Sequence, residues 1–98
     1  MADEHLYIVT YDIASPRRWR AVFRLMNGFG EWLQLSVFQC RLTRARHVEL
    51  RQRLEAAIDV AEDHALVIDL GPAGVVEPRV LSIGKRGFEP IDRVPLVL

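Results

Sequence analysis

Asp12 is the residue of this chain whose type and place packing explains least. Aspartate is depleted in strands, yet Asp12 ends the apolar extended run Leu6-Tyr7-Ile8-Val9-Thr10-Tyr11, just before a helix start at Ser15-Pro16. Binding and catalytic groups gather at strand ends beside helix N-termini. Two readings follow for a carboxylate there: it caps the first helical turn beside Ser15, or it holds a hard cation. Mg²⁺ usually takes one or two carboxylates and completes its shell with water and phosphate oxygens, so a lone aspartate is a poor site. A two-fold dimer presents any residue near its axis twice. Two Asp12 side chains then share one Mg²⁺ or Mn²⁺ per dimer.

The remaining candidates are sparse. His5, His47 and His64 lie far apart, in no metal-ligand spacing, and the chain has no cysteine pair, phosphate-cradling glycine loop or glycine-flanked serine. Cys40 reads as a small buried hydrophobe. Ser36 reads as a strand serine or, less simply, a nucleophile.

Net charge is zero, but the charges are segregated. Residues 13–53 carry nine arginines against Glu31 and Glu49, a net of +7, while residues 1–12 carry −3 and residues 54–98 carry −4. Twelve of the thirteen cations are arginine, whose planar fork matches phosphate oxygens better than a lysine ammonium does. Such a block is either a solvated helix face or a surface for a polyanion.

The elements that must position these groups can be read from periodicity. His5 to Asp12 is a buried strand. Ser15 caps a helix with Pro16 at its first position, and Trp19, Val22, Phe23 and Met26 make its apolar face. Asn27-Gly28 and Gly30 end it, with glycine supplying a left-handed cap. Glu31 to Leu42 is extended but long for one strand, which predicts a bend or tight hairpin near Ser36 to Gln39. Thr43 caps a second helix whose face is Leu50, Leu54, Ala57, Ile58 and Ala61. Ala65 to Leu70 is a strand, residues 71–74 a turn, and Arg79 to Gly84 a last short strand. This order predicts an α+β, ferredoxin-like βαββαβ two-layer sandwich with an extra short C-terminal strand.

The 98 residues make a single domain, residues 1–98, in which 85–98 form a C-terminal tail. A body this small with 50% hydrophobic residues favours an oligomer, and the apolar end Pro95-Leu96-Val97-Leu98 suggests docking on a partner subunit. One cysteine fits a reducing, cytoplasmic setting. No apolar run reaches the ~20 residues of a membrane span, and the first residues lack the basic start of a secretory signal.

Tyr7-Ile8-Val9-Thr10-Tyr11-Asp12-Ile13, the arginine-bearing helix, Gly30 and Gln34-Leu35-Ser36-Val37-Phe38 resemble the CRISPR-associated protein 2 family. Ile83-Gly84 and the apolar tail match as well, so the likeness runs from Leu6 over nearly the whole chain. The resemblance implies a homodimer in which one subunit's C-terminal strand joins the other's sheet. It implies a divalent metal at Asp12 and metal-dependent endonuclease cleavage of phosphodiester bonds in single-stranded RNA or duplex DNA. It also implies a part in spacer acquisition, as a scaffold between dimers of the CRISPR integrase. Ala14-Ser15-Pro16 and Gln39 stand where the family often has further acids.

On this reading Arg17, Arg18 and Arg20 bind nucleic-acid phosphates, and Tyr11, Ser36 and Phe38 shape the cleft beside the catalytic, metal-holding Asp12. The alternatives are a non-catalytic DNA-bridging scaffold and a toxin-like ribonuclease of the same fold. The aromatic sheet motif of an RNA-recognition module is absent.

Overall fold

Alternation in the first extended run produces two unlike strand faces, and the sheet is built on that difference. The computed structural model describes residues 3–76 and 81–84. Strand β1 spans Glu4–Asp12, helix α1 Pro16–Asn27, strand β2 Glu31–Gln34, strand β3 Val37–Thr43, helix α2 Arg44–Ala57 and strand β4 His64–Pro72. The four strands form one antiparallel sheet in the order β2-β3-β1-β4, the ferredoxin-like arrangement that the element order predicts.

Tyr7, Val9 and Tyr11 on β1 share a face with Phe38, Cys40 and Leu42 on β3, and the register sets Tyr7 opposite Cys40 and Val9 opposite Phe38. Val22 and Met26 of α1 and Leu50 and Leu54 of α2 close over this face to make the core. Trp19 and Phe23 stack at 5.2 Å and extend it toward the end of β1. Burial pushes the Cys40 thiol up to about 12, so it is un-ionised at neutral pH and serves packing, as the sequence suggests.

Both helix starts follow local rules. Ser15 accepts the Arg18 amide at 3.3 Å and Thr43 the Arg46 amide at 3.2 Å, each hydroxyl satisfying an orphan donor of the first turn. Arg46 then fastens the two helices. Its guanidinium donates to the Gly28 carbonyl at 3.0 Å and lies 4.1 Å from the Phe29 ring centroid.

The structure departs from expectation in several places, and β4 runs on through Pro72, into the expected turn at 71–74. The hairpin turn falls at Leu35-Ser36, earlier than predicted, and puts Leu35 at φ 39, a conformation few side chains favour. Helix α2 stops at Ala57, so Ala61 is exposed in the following turn rather than on the helix face. Gly28 has φ −82 and needs no glycine freedom. Among residues 81–84 there is no strand, while the rest of that expected strand and the 85–98 tail lie outside the described residues.

Gly30 has a different reason to be glycine. A Cβ there would run into the Cys40 sulfur and the Gln39 carbonyl of β3. Gly30→Ala should therefore destabilise the fold by about 1–3 kcal/mol through overpacking. Gly74→Ala, with open space around it, should stay within about 0.5 kcal/mol of wild type. Urea unfolding midpoints of the two variants check the contrast, and equal midpoints would remove the packing account.

Candidate functional site

Three segments converge where β1 ends. Asp12 is the last residue of β1 and pairs in register with His64, the first of β4. The β2–β3 turn reaches the same end, because the Tyr11 amide donates to the Ser36 carbonyl at 3.2 Å. The first turn of α1 arrives through Trp19, whose indole nitrogen donates to Ser36 Oγ at 2.8 Å.

The Asp12 carboxylate is exposed and has no hydrogen bond or ion pair among the described residues. Ser15 does the capping of α1, so the capping alternative for Asp12 does not apply. An exposed oxygen donor with no other partner fits a hard cation that keeps much of its water. One chain supplies only that carboxylate: among the described residues no group of three or more His, Cys, Asp or Glu could hold a metal ion.

The buried carboxylate next to this strand end is Asp63, which the sequence shows only as one acid in an acidic stretch. Its side chain is fully buried. Oδ1 accepts the Ala14 amide at 2.9 Å and Arg18 Nη2 at 3.1 Å. Oδ2 accepts Arg18 Nε at 2.7 Å and the Asp59 amide at 2.8 Å. Arg18 also reaches Glu62 at 3.3 Å. Aspartate in the turn before a strand is ordinary, so its type alone gives no signal. Arg18 and Ala14 lie forty-five and forty-nine positions away, which no local pattern shows, and only the Asp59 amide is near in sequence.

This arrangement sorts the predicted nucleic-acid-binding arginines. Arg18 is committed to Asp63 and is a fastening of the fold, which corrects its reading as a free phosphate contact. Arg17 and Arg20 are exposed, as is Arg24 one turn further on, and none of the three has an ion-pair partner among the described residues. The three stand on one stripe of α1, at i, i+3 and i+7.

The cleft-shaping set is also re-sorted. Phe38 and Tyr11 are core residues, fully and almost fully buried, so they lie beneath the site and do not wall an open cleft. Tyr11 Oη is buried with no partner among the described residues, and burial raises its pKa. Ser36 is half-buried, with its hydroxyl taken by Trp19, a positioning contact and not a nucleophile's setting.

The Asp63 network makes stability depend on pH in a defined direction. Arg18's hydrogen bonds hold the Asp63 carboxyl well below the usual carboxylate range. The amides of Asp59 and Ala14 add to this and burial opposes it. In the unfolded chain the same group titrates near about 3.9. The stabilisation is therefore complete above about pH 4 and is lost as pH falls toward the folded-state value. Thermal unfolding followed from neutral pH into that acid range should show a steeper loss in wild type than in Asp63→Asn. Parallel curves would assign the acid sensitivity to other groups.

With this geometry in place, comparison with known proteins is specific. Residues 5–75 match the family model described as CRISPR associated protein Cas2. The chain is 55% identical over 95 residues to the CRISPR-associated endoribonuclease Cas2 of Geobacter sulfurreducens, covering 97% of this chain and 99% of that one. It is 50% identical over 95 residues to the CRISPR-associated endoribonuclease Cas2 1 of Rhodospirillum rubrum, covering 97% and 92%. Among solved structures, the hypothetical protein TT1823 of Thermus thermophilus superposes with a TM-score of 0.72 at 30% identity, covering 85% of this chain and 96% of that one. Streptococcus pyogenes Cas2 superposes with a TM-score of 0.64 at 35% identity, covering 67% and 86%. Sequence and fold agree along the segment that carries Asp12, the arginine helix and the buried Asp63: the chain belongs to the CRISPR-associated Cas2 family.

Proposed function

We propose that this protein is a homodimeric, divalent-metal-dependent endonuclease acting on RNA in CRISPR immunity, with Asp12 as its metal-holding and catalytic residue. The observation that carries the reading is the exposed, unpartnered Asp12 carboxylate, held at a strand end while Ser15 does the capping and Asp63 the fastening. The endoribonuclease names of the Geobacter and Rhodospirillum relatives favour RNA over duplex DNA. Mg²⁺ or Mn²⁺ shared by two Asp12 side chains would polarise a phosphoryl oxygen and activate water for attack.

The chain's own residues supply position and charge. Arg17 and Arg20 on the exposed stripe of α1 bind backbone phosphates, which sets where the strand lies without reading its sequence. Dimerisation is supported by the sheet face turned away from the helices. Leu66, Ile68 and Leu70 of β4 lie there 48%, 42% and 38% exposed, a run of aliphatic side chains that a second copy would cover. No helix among the described residues is long and apolar enough to cross a membrane. A role in spacer acquisition beside the CRISPR integrase belongs to the same proposal through the family.

The test is cleavage of single-stranded RNA with and without Mg²⁺ or Mn²⁺. Asp12→Ala and Asp12→Asn should reduce cleavage to background while leaving the dimer intact in sedimentation. Arg17→Ala/Arg20→Ala should weaken binding similarly across unrelated sequences and flatten the log–log salt dependence by about 1.4 for two phosphate contacts on a single strand. Wild-type cleavage rates in both Asp12 variants would remove the enzyme reading. Binding to duplex DNA without any cleavage would replace it with the bridging scaffold.

A further inference from the structure

The Asp63 carboxylate has a use beyond fastening loops. Each oxygen of a carboxylate can accept two hydrogen bonds, and in Asp63 all four places are filled. The donors come from three segments that meet at the candidate site. Ala14 lies two residues after Asp12, in the turn between β1 and α1. Arg18 lies in the first turn of α1. Asp59 lies in the loop that leads from α2 into β4.

Two consequences follow for Asp12. The turn that carries it is held on both sides: Asp12 is in register with His64 on β4, and the Ala14 amide is anchored on Asp63 Oδ1. Both ends of that hold belong to the adjacent residues Asp63 and His64. The second consequence is electrostatic. Ala14 N and Arg18 Nη2 share the same oxygen, so the guanidinium sits beside the turn that bears Asp12. A free cation there would compete with a metal ion for the Asp12 carboxylate. Asp63 takes up that charge, and the Asp12 side chain is left without an ion pair among the described residues.

We propose that Asp63 is a positioning residue for the metal site: it anchors the Asp12 turn through Ala14 and withholds Arg18 from the Asp12 carboxylate. The proposal rests on Asp12 being the metal-holding residue. Asp63 touches neither metal nor substrate and acts through Ala14 and Arg18.

Asparagine at this position separates the two actions. Its single oxygen can still accept the Ala14 amide, while its amide group would face Arg18 Nε and the Asp59 amide, donors against donors. Arg18 then loses the acceptor of its Nε and the opposing charge, keeps only the Nη2 bond to the remaining oxygen, and is loosened toward Asp12. The experiment measures Mn²⁺ binding by electron paramagnetic resonance on full-length protein, with circular dichroism as the check on folding. Asp63→Asn should weaken Mn²⁺ binding by about 10–100-fold, the usual effect of losing a residue that orients a metal ligand. Arg18→Gln/Asp63→Asn should recover most of that loss, because no loose cation remains. Arg18→Gln/Asp63→Ala should stay weak, because the Ala14 amide has no acceptor.

If Asp63→Asn does not fold, the two double variants decide, since removing both partners of a buried ion pair is tolerated better than removing one. Weak binding confined to the alanine double supports the proposal, and equal affinities in the two doubles overturn it. A folded Asp63→Asn that binds Mn²⁺ as wild type does also overturns it, as does a loss that Arg18→Gln fails to recover. Both of these leave the Asp12 reading standing. Mn²⁺ that does not bind wild type, or binds Asp12→Ala as tightly, overturns the Asp12 reading itself and this proposal with it.

Discussion

The Asp63 carboxylate accepts two bonds from Arg18 and one each from the Ala14 and Asp59 backbones, and the geometry of one end of the molecule depends on them. A buried ion pair of this kind is a poor source of net stability, because desolvation offsets most of the attraction. Its effect is geometric. Two connections that the sheet alone would leave independent, the β1–α1 turn and the α2–β4 loop, are brought together with the first turn of α1, and the burial of the carboxylate is tolerable only because every donor is present. On the proposed reading, the satisfied Asp63 is what leaves the exposed Asp12 free.

The sheet divides the chain's labour between its two faces and its end. One face, with Tyr7, Val9, Tyr11, Phe38, Cys40 and Leu42, is closed by both helices and holds the fold. The other keeps β4 aliphatic side chains in the open, the kind of surface association removes from water. The end of β1 carries the exposed Asp12 carboxylate, the residue to which the proposed chemistry is assigned. The arginines divide in the same way: Arg18 and Arg46 are bound to partners in the fold, and Arg17, Arg20 and Arg24 are left to solvent. The +7 block read from the sequence is thus part fastening and part surface.

Much of this is legible in the sequence, for physical reasons that differ by element. The period-2 run of β1, the Ser15-Pro16 and Thr43 helix starts, and Leu50 with Leu54 on α2 are local patterns, and local patterns survive folding. Asp12 stood out because its type disagreed with its strand. The Leu35-Ser36 turn is hard to place from sequence because it lacks the glycine or asparagine that marks a two-residue hairpin, and Leu35 takes a positive φ instead. Arg18 could not be told from Arg17 or Arg20, since the difference lies in Asp63, forty-five positions away. Phe38 and Tyr11 look like cleft residues by position and prove to be core, because both point to the helix-covered face.

The central claim is that two copies of one free carboxylate make a single cation site. Native mass spectrometry of the Mn²⁺-loaded protein tests it most directly, by counting ions per chain. The account predicts one Mn²⁺ per two chains in wild type and none retained by Asp12→Ala, with the dimer still present. One ion for every chain, or the same count in wild type and Asp12→Ala, would contradict it.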